Sequence, residues 1–140
     1  MKRLILSLIA VFIFSFSFAQ REKSISKKEL MSNSKKAIEY LKKDLKLKGS
    51  KLSSVSNAFT KYAENMASLN EKMAKKDASA KGNSEALVSN KKAKFKMMND
   101  FLKKRDEAAT KGFSKKEIEK YRKTSRSIHP FTLRVKEIKK

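Results

Sequence analysis

The sequence predicts an all-α fold, a thin bundle of about four helices arranged as two helical hairpins. Three observations carry this. The 140 residues include only three Gly and one Pro, while Lys, Ala, Glu, Leu and Met, all good helix formers, are abundant. No segment alternates apolar and polar residues as a half-buried strand does. One long segment instead repeats apolar residues at spacings of three and four, the period of a helix face.

The chain opens with Lys2 and Arg3, an apolar stretch from Leu4 to Phe18, and the small residues Ser17 and Ala19. This is the order of a secretory signal, which predicts cleavage near Ala19/Gln20 and assigns 1–19 to a signal peptide. Ser7, Ser15 and Ser17 interrupt the stretch, and it is about the shortest that spans a bilayer, which argues against a retained anchor. The expected location is therefore periplasmic or secreted. Residues 20–140 then form a single helical domain.

Within that domain the first helix is predicted from about Ser26 to Leu47. Ser26 and Glu29 have the spacing of a capping box, in which each side chain accepts the other residue's backbone N–H. Leu30, Ile38, Leu41 and Leu45 share a face, and Gly49 is read as the residue that ends the helix. The second helix has the cleanest pattern: Leu52, Val55, Phe59, Tyr62, Met66, Leu69 and Met73 form an unbroken packing seam. From Ala74 to Ser84, the polar run with Lys75, Lys76, Asp77, Gly82 and Asn83 reads as a loop.

The third helix is predicted from Ser84 to Ala109, with Leu87, Phe95, Met98, Phe101 and Leu102 near one stripe and lysines around it. Gly112 ends it. A second capping box, Ser114 with Glu117, opens a short fourth helix, with Phe113 and Ile118 placed for a hydrophobic staple. That helix carries Ile118, Tyr121 and Ile128 and stops before Pro130, since the residue preceding proline disfavours helix. Residues 131–140 read equally as a basic tail or as a docked extension.

Composition limits what such a chain does. Residues 20–140 hold 41 apolar residues of which 11 are Ala, so only 30 are large enough to fill a core. The whole chain carries +22; without Lys2 and Arg3, 34 basic residues face 14 acidic ones, leaving +20. Such an excess attracts acidic polypeptides and anionic surfaces. The chain has no Cys and one His, which excludes disulfides, thiol chemistry and the usual zinc ligand sets. No cofactor, metal or catalytic constellation is expected, and His129, before Pro130, reads as a surface or capping residue. Met66 and Met73 read as core filling. Asp106 and Glu107, adjacent on a helix, read as a solvated face. The lysine pairs are spread over every helix, so there is no dedicated nucleic-acid motif.

Two hairpins, with an apolar-hydroxyl-x-x-polar turn starting the returning helix behind a signal peptide, resemble the Spy/CpxP family of periplasmic stress chaperones. The family's mark is Leu-Thr-x-x-Gln, seen twice. The second copy corresponds here to Phe113-Ser114-Lys115-Lys116-Glu117, followed by a helix bearing Tyr121. The first, aligned on Leu47, puts Lys48 at the Thr position and is broken. The resemblance implies a thin four-helix protomer, an elongated antiparallel homodimer and ATP-independent holding of unfolded or acidic clients on a basic surface. Phe95, Met97, Met98 and Phe101 are the candidate client contacts. The alternative expectation is a basic envelope protein that binds lipopolysaccharide, membrane lipid or nucleic acid by charge alone.

Overall fold

The computed structural model describes residues 25–136. The signal-peptide assignment lies outside them. Four helices follow in order: α1 (Lys27–Leu45), α2 (Gly49–Ser79), α3 (Ser84–Ala109) and α4 (Lys115–Ser125). At 1.5 Å per residue they are about 28, 46, 39 and 16 Å long. The all-α reading and its four helices stand.

α2 is the spine. α1 and α3 both pack along it and do not pack on each other, while α4 packs on α1. The α2 seam is buried as its spacing predicts: Val55, Phe59, Tyr62, Met66, Leu69 and Met73 are all at most 4% exposed. The opposite side of α2 shows Ser53, Asn57, Lys61, Glu64 and Ser68 to solvent. The bundle is thus a layer with α2 in the middle and a polar back face.

Helix ends depart from expectation where backbone conformation overrides residue type. Ser26 caps α1 by accepting the Glu29 N–H at 3.1 Å. The return half of the expected box is replaced by an ion pair, because the Glu29 carboxylate binds Arg134. α1 ends two residues earlier than predicted. Lys46 takes the left-handed conformation (φ 51°), and the Leu47 N–H closes on the Lys42 carbonyl at 3.0 Å. Gly49 does not terminate α1; at φ +57° it starts α2, in a conformation that strains any side-chain-bearing residue.

The expected loop at 74–84 is mostly helix. α2 continues through Lys75, Lys76 and Asp77 to Ser79, with Lys75 and Glu71 paired one turn apart at 3.1 Å. The turn is confined to 80–83, and the Asn83 side chain caps α3 by accepting the Ala86 N–H at 3.0 Å. α3 has the bounds predicted for it. α4 opens with the full Ser114–Glu117 box, Glu117 N–H to Ser114 Oγ at 3.2 Å and Ser114 N–H to Glu117 Oε2 at 2.7 Å.

α4 ends at Ser125, short of the predicted limit before Pro130, and Ile128 belongs instead to the docked segment that follows it to Lys136. Ile128 and Val135 form an antiparallel bridge, closed by His129 N–H to the Arg134 carbonyl (2.8 Å) and Lys136 N–H to the Ser127 carbonyl (2.7 Å). Leu133 at its tip is fully buried with φ 58°. This strap crosses the front of the layer. The Tyr62 hydroxyl on α2 donates to the Pro130 carbonyl at 2.6 Å, and Asn33 Nδ2 on α1 donates to the Thr132 carbonyl at 2.9 Å. On the α3 side, Phe131 meets Phe95 edge to face at 6.1 Å.

Candidate functional site

The two ends of the layer differ in chemistry. At the end holding both the α1–α2 and α3–α4 turns, which we call the base, α3 carries Arg105 on its packing stripe, seven residues after the buried Met98. Its side chain is buried, with the guanidinium 4.5 Å from the Phe59 ring and 5.1 Å from the Tyr62 ring. Cation–π attraction of this kind strengthens when water is excluded. Nε and Nη2 donate to one Asp106 oxygen at 2.9 and 2.7 Å, and the Tyr121 hydroxyl of α4 donates to the same oxygen at 2.7 Å. Nη1 is buried without a hydrogen-bond partner.

This group ties α3 to α2 and α4. Asp106 is therefore no simple solvated acid: its carboxylate gathers three donors. Burial, reinforced by the Asp106 carboxylate against the opposing pull of Arg105, pushes the Tyr121 phenol well above its ordinary value. It stays protonated and donating across the physiological range. The sequence signal for Arg105 was its register on the stripe of Leu87, Met98 and Ala109, masked by the surrounding lysines.

The family-motif positions gather at the same end. Leu47 and Tyr121 are buried, and Phe113 is half-buried with its ring edge to face on Tyr121 at 6.3 Å. Glu117 belongs to the cap and also accepts Lys51 Nζ from the start of α2 at 2.5 Å. The Lys51 hydrogen bond, followed by the Ser114 N–H, holds the Glu117 carboxyl below its ordinary value. Thr124 donates to Asp44 Oδ2 at 2.5 Å, so both ends of α4 are fastened beside the α1–α2 turn.

Of the four candidate client contacts, Phe95 and Met97 are the exposed ones, at 48% and 41%. Met98 is core, at 7%, and Phe101 is half-buried against the core. Met98 follows the i, i+11 stripe with Leu87 and Ala109, which explains why it faces α2. Phe95 and Met97 are two positions apart, about 200° around a helix, so the four residues do not form one patch. Val88, seven residues before Phe95 and 41% exposed, lies on the same flank as Phe95.

These exposed residues sit at the far end, the arm. Residues 74–79 of α2 and 84–97 of α3 include no buried residue. Asn90 Nδ2 to Asp77 Oδ1, at 3.0 Å, links the two helices there. Lys91, Lys92 and Lys96 are exposed around Phe95.

His129 acts as the local cap the sequence suggested: its Nδ1 accepts the Phe131 and Thr132 N–H groups at 3.3 and 3.2 Å. α2 begins at the base with no side-chain cap and no acid in its first turn. Among the described residues no helix is long and apolar enough to cross a membrane. No family model, curated protein or solved structure matches the chain.

Proposed function

We propose that the protein is an exported, ATP-independent holder of unfolded, acidic polypeptides, working at the cell envelope as the Spy/CpxP resemblance implies. The observation that carries this reading is the arm. Val88, Phe95 and Met97 are large apolar side chains left 41 to 48% exposed on a helix half that buries nothing, among Lys91, Lys92 and Lys96. Lysines draw an acidic segment in, and the apolar groups hold it once it has arrived. Because Phe95 and Met97 point to opposite flanks, a client is held by wrapping the arm rather than by entering a groove. Methionine supports loose selectivity, since its flexible thioether adapts to different neighbours.

The test is suppression of aggregation of an unfolded model client by the protein without ATP, at low and high salt, with oligomeric mass measured alongside. Suppression is expected to survive high salt and to fall further in Val88→Ser/Met97→Ser than in Lys92→Gln. Neither Val88 nor Met97 belongs to the core, so the variant keeps the fold. No suppression at either salt, or equal losses in the two variants, overturns the reading and leaves binding by charge alone.

A further inference from the structure

We infer that the base is a docking surface for an anionic lipid bilayer. The inference stands independently of client holding, which is assigned to the opposite end. Two segments distant in sequence meet at the base: 42–51, around the α1–α2 turn, and 111–123, which includes the α3–α4 turn. The Lys51–Glu117 pair, the Lys51 ammonium 5.8 Å from the Phe113 ring centre, and the Thr124–Asp44 hydrogen bond fix them side by side. Together they hold eleven basic residues against three acids, Asp44, Glu117 and Glu119. Two of those acids already have partners, Asp44 in Thr124 and Glu117 in Lys51. Lys43, Lys46, Lys48, Lys111, Lys115 and Lys116 are all exposed.

The form of this end selects the partner. The charges lie on two turns and on a helix fastened beside them, at the tip of the molecule rather than along a groove. Such a tip offers many long, flexible ammonium groups to a plane of phosphates, each keeping its stem on the protein. Phe113, half-buried at the same tip, adds an apolar ring beside the charges, a group that interfacial segments bury at the headgroup boundary. A single-stranded nucleic acid calls instead for successive exposed rings to stack on, whereas Phe113 is packed edge to face on Tyr121.

Distance makes the position of the charge matter, not only the total. α2 is about 46 Å long, and the screening length in ordinary buffer is ~10 Å. When the base touches a surface, Lys75, Lys76, Lys91 and Lys92 on the arm are several screening lengths away. They contribute little, whereas each basic residue at the surface strengthens binding about fivefold.

The experiment compares three full-length mature proteins by co-sedimentation with vesicles of two parts phosphatidylcholine to one part phosphatidylglycerol, and with phosphatidylcholine alone. Lys46→Gln/Lys48→Gln/Lys111→Gln/Lys115→Gln removes four base charges; Lys75→Gln/Lys76→Gln/Lys91→Gln/Lys92→Gln removes four from the arm. The wild type and the arm variant are expected to bind the anionic vesicles alike, with the base variant about a hundredfold or more weaker. Circular dichroism confirms that all three are folded, and the eight substituted side chains lie outside the core. Equal losses in both variants, or no wild-type preference for the anionic vesicles, overturn the proposal. So does a base variant that loses affinity for a single-stranded oligonucleotide while keeping affinity for the vesicles. Client holding unaffected by the base variant separates this result from that of the arm.

Discussion

The base and the arm are built from the same two long helices and differ in what is laid against them. At the base, α1 lies along α2, α4 is fastened to α1, α2 and α3 by its side chains, and even a guanidinium is enclosed between two rings and a carboxylate. Along the arm α2 and α3 have each other and, at Phe95, the edge of the strap's Phe131 ring, and apolar side chains remain half in water. The lesson is that helix formation and core formation are separable. The arm is helical because its residues favour helix and its ends are capped, whereas the base is helical because it is packed. Order is therefore expected to be unequal along one continuous helix, and hydrogen exchange should be fastest in the arm.

The largest test of that contrast is a pair of truncations. Phe59→Ala, in the base core, is expected to cost about 3–5 kcal/mol in urea unfolding. Val88→Ala on the arm should stay within about 0.5 kcal/mol. Similar costs would mean that the arm is packed as tightly as the base. Arg105→Ala comes next, at about 2 kcal/mol, because it removes a buried charge-assisted pair whose partner, Asp106, keeps access to water. Arg105→Lys should not restore the loss, since an ammonium lacks the fork that reaches Asp106 from two nitrogens.

Tyr62→Phe sharpens the comparison further by releasing the strap without opening the core. A loss of about 1 kcal/mol is expected, with faster amide exchange over 128–136 and unchanged exchange in the arm. A rise in arm exchange instead would show that the strap supports both ends. The smallest effect belongs to Glu117. Its folded-state carboxyl lies below its ordinary value, so its contribution is present above the unfolded value of about 4.3 and is lost as pH falls through the lower folded one. Glu117→Gln should therefore melt slightly below the wild type at neutral pH, and the two curves should converge in acid. A constant offset at every pH would assign the effect to the altered cap rather than to charge.

Much of the arrangement was legible because local rules govern it. The three-four spacing from Leu52 to Met73 marks a buried face regardless of context, and Ser114 with Glu117 caps a helix by contacts three residues apart. Gly112 lies just past the end of α3 for an equally local reason, while Asn83, read only as loop, is its cap. The failures share the opposite cause. Lys75 to Ser79 looks like loop because it is polar, yet a helix already propagated from Leu52 adds further turns at little cost. Gly49 looks like a terminator, but the left-handed residue after α1 is Lys46, set by how the turn brings α2 back. Asp106 looks solvated among so many charges, and only the stripe through Met98 and Ala109 hints that its neighbour Arg105 is buried. The strap has no periodicity to read, since it is held by hydrogen bonds to Asn33 and Tyr62, in distant helices.

Those last two contacts also set a sequence of events. Thr132 binds Asn33 across 99 positions, and Pro130 binds Tyr62 across 68. The front of the layer therefore closes only after nearly all of the described chain has been made, by the part of it made last. Until then the contacts that Asn33 and Tyr62 make with the strap are not formed, and the nascent chain stays short of its final cooperative state. Such an arrangement suits the export proposed above, because the contact that completes the fold is the last to become available.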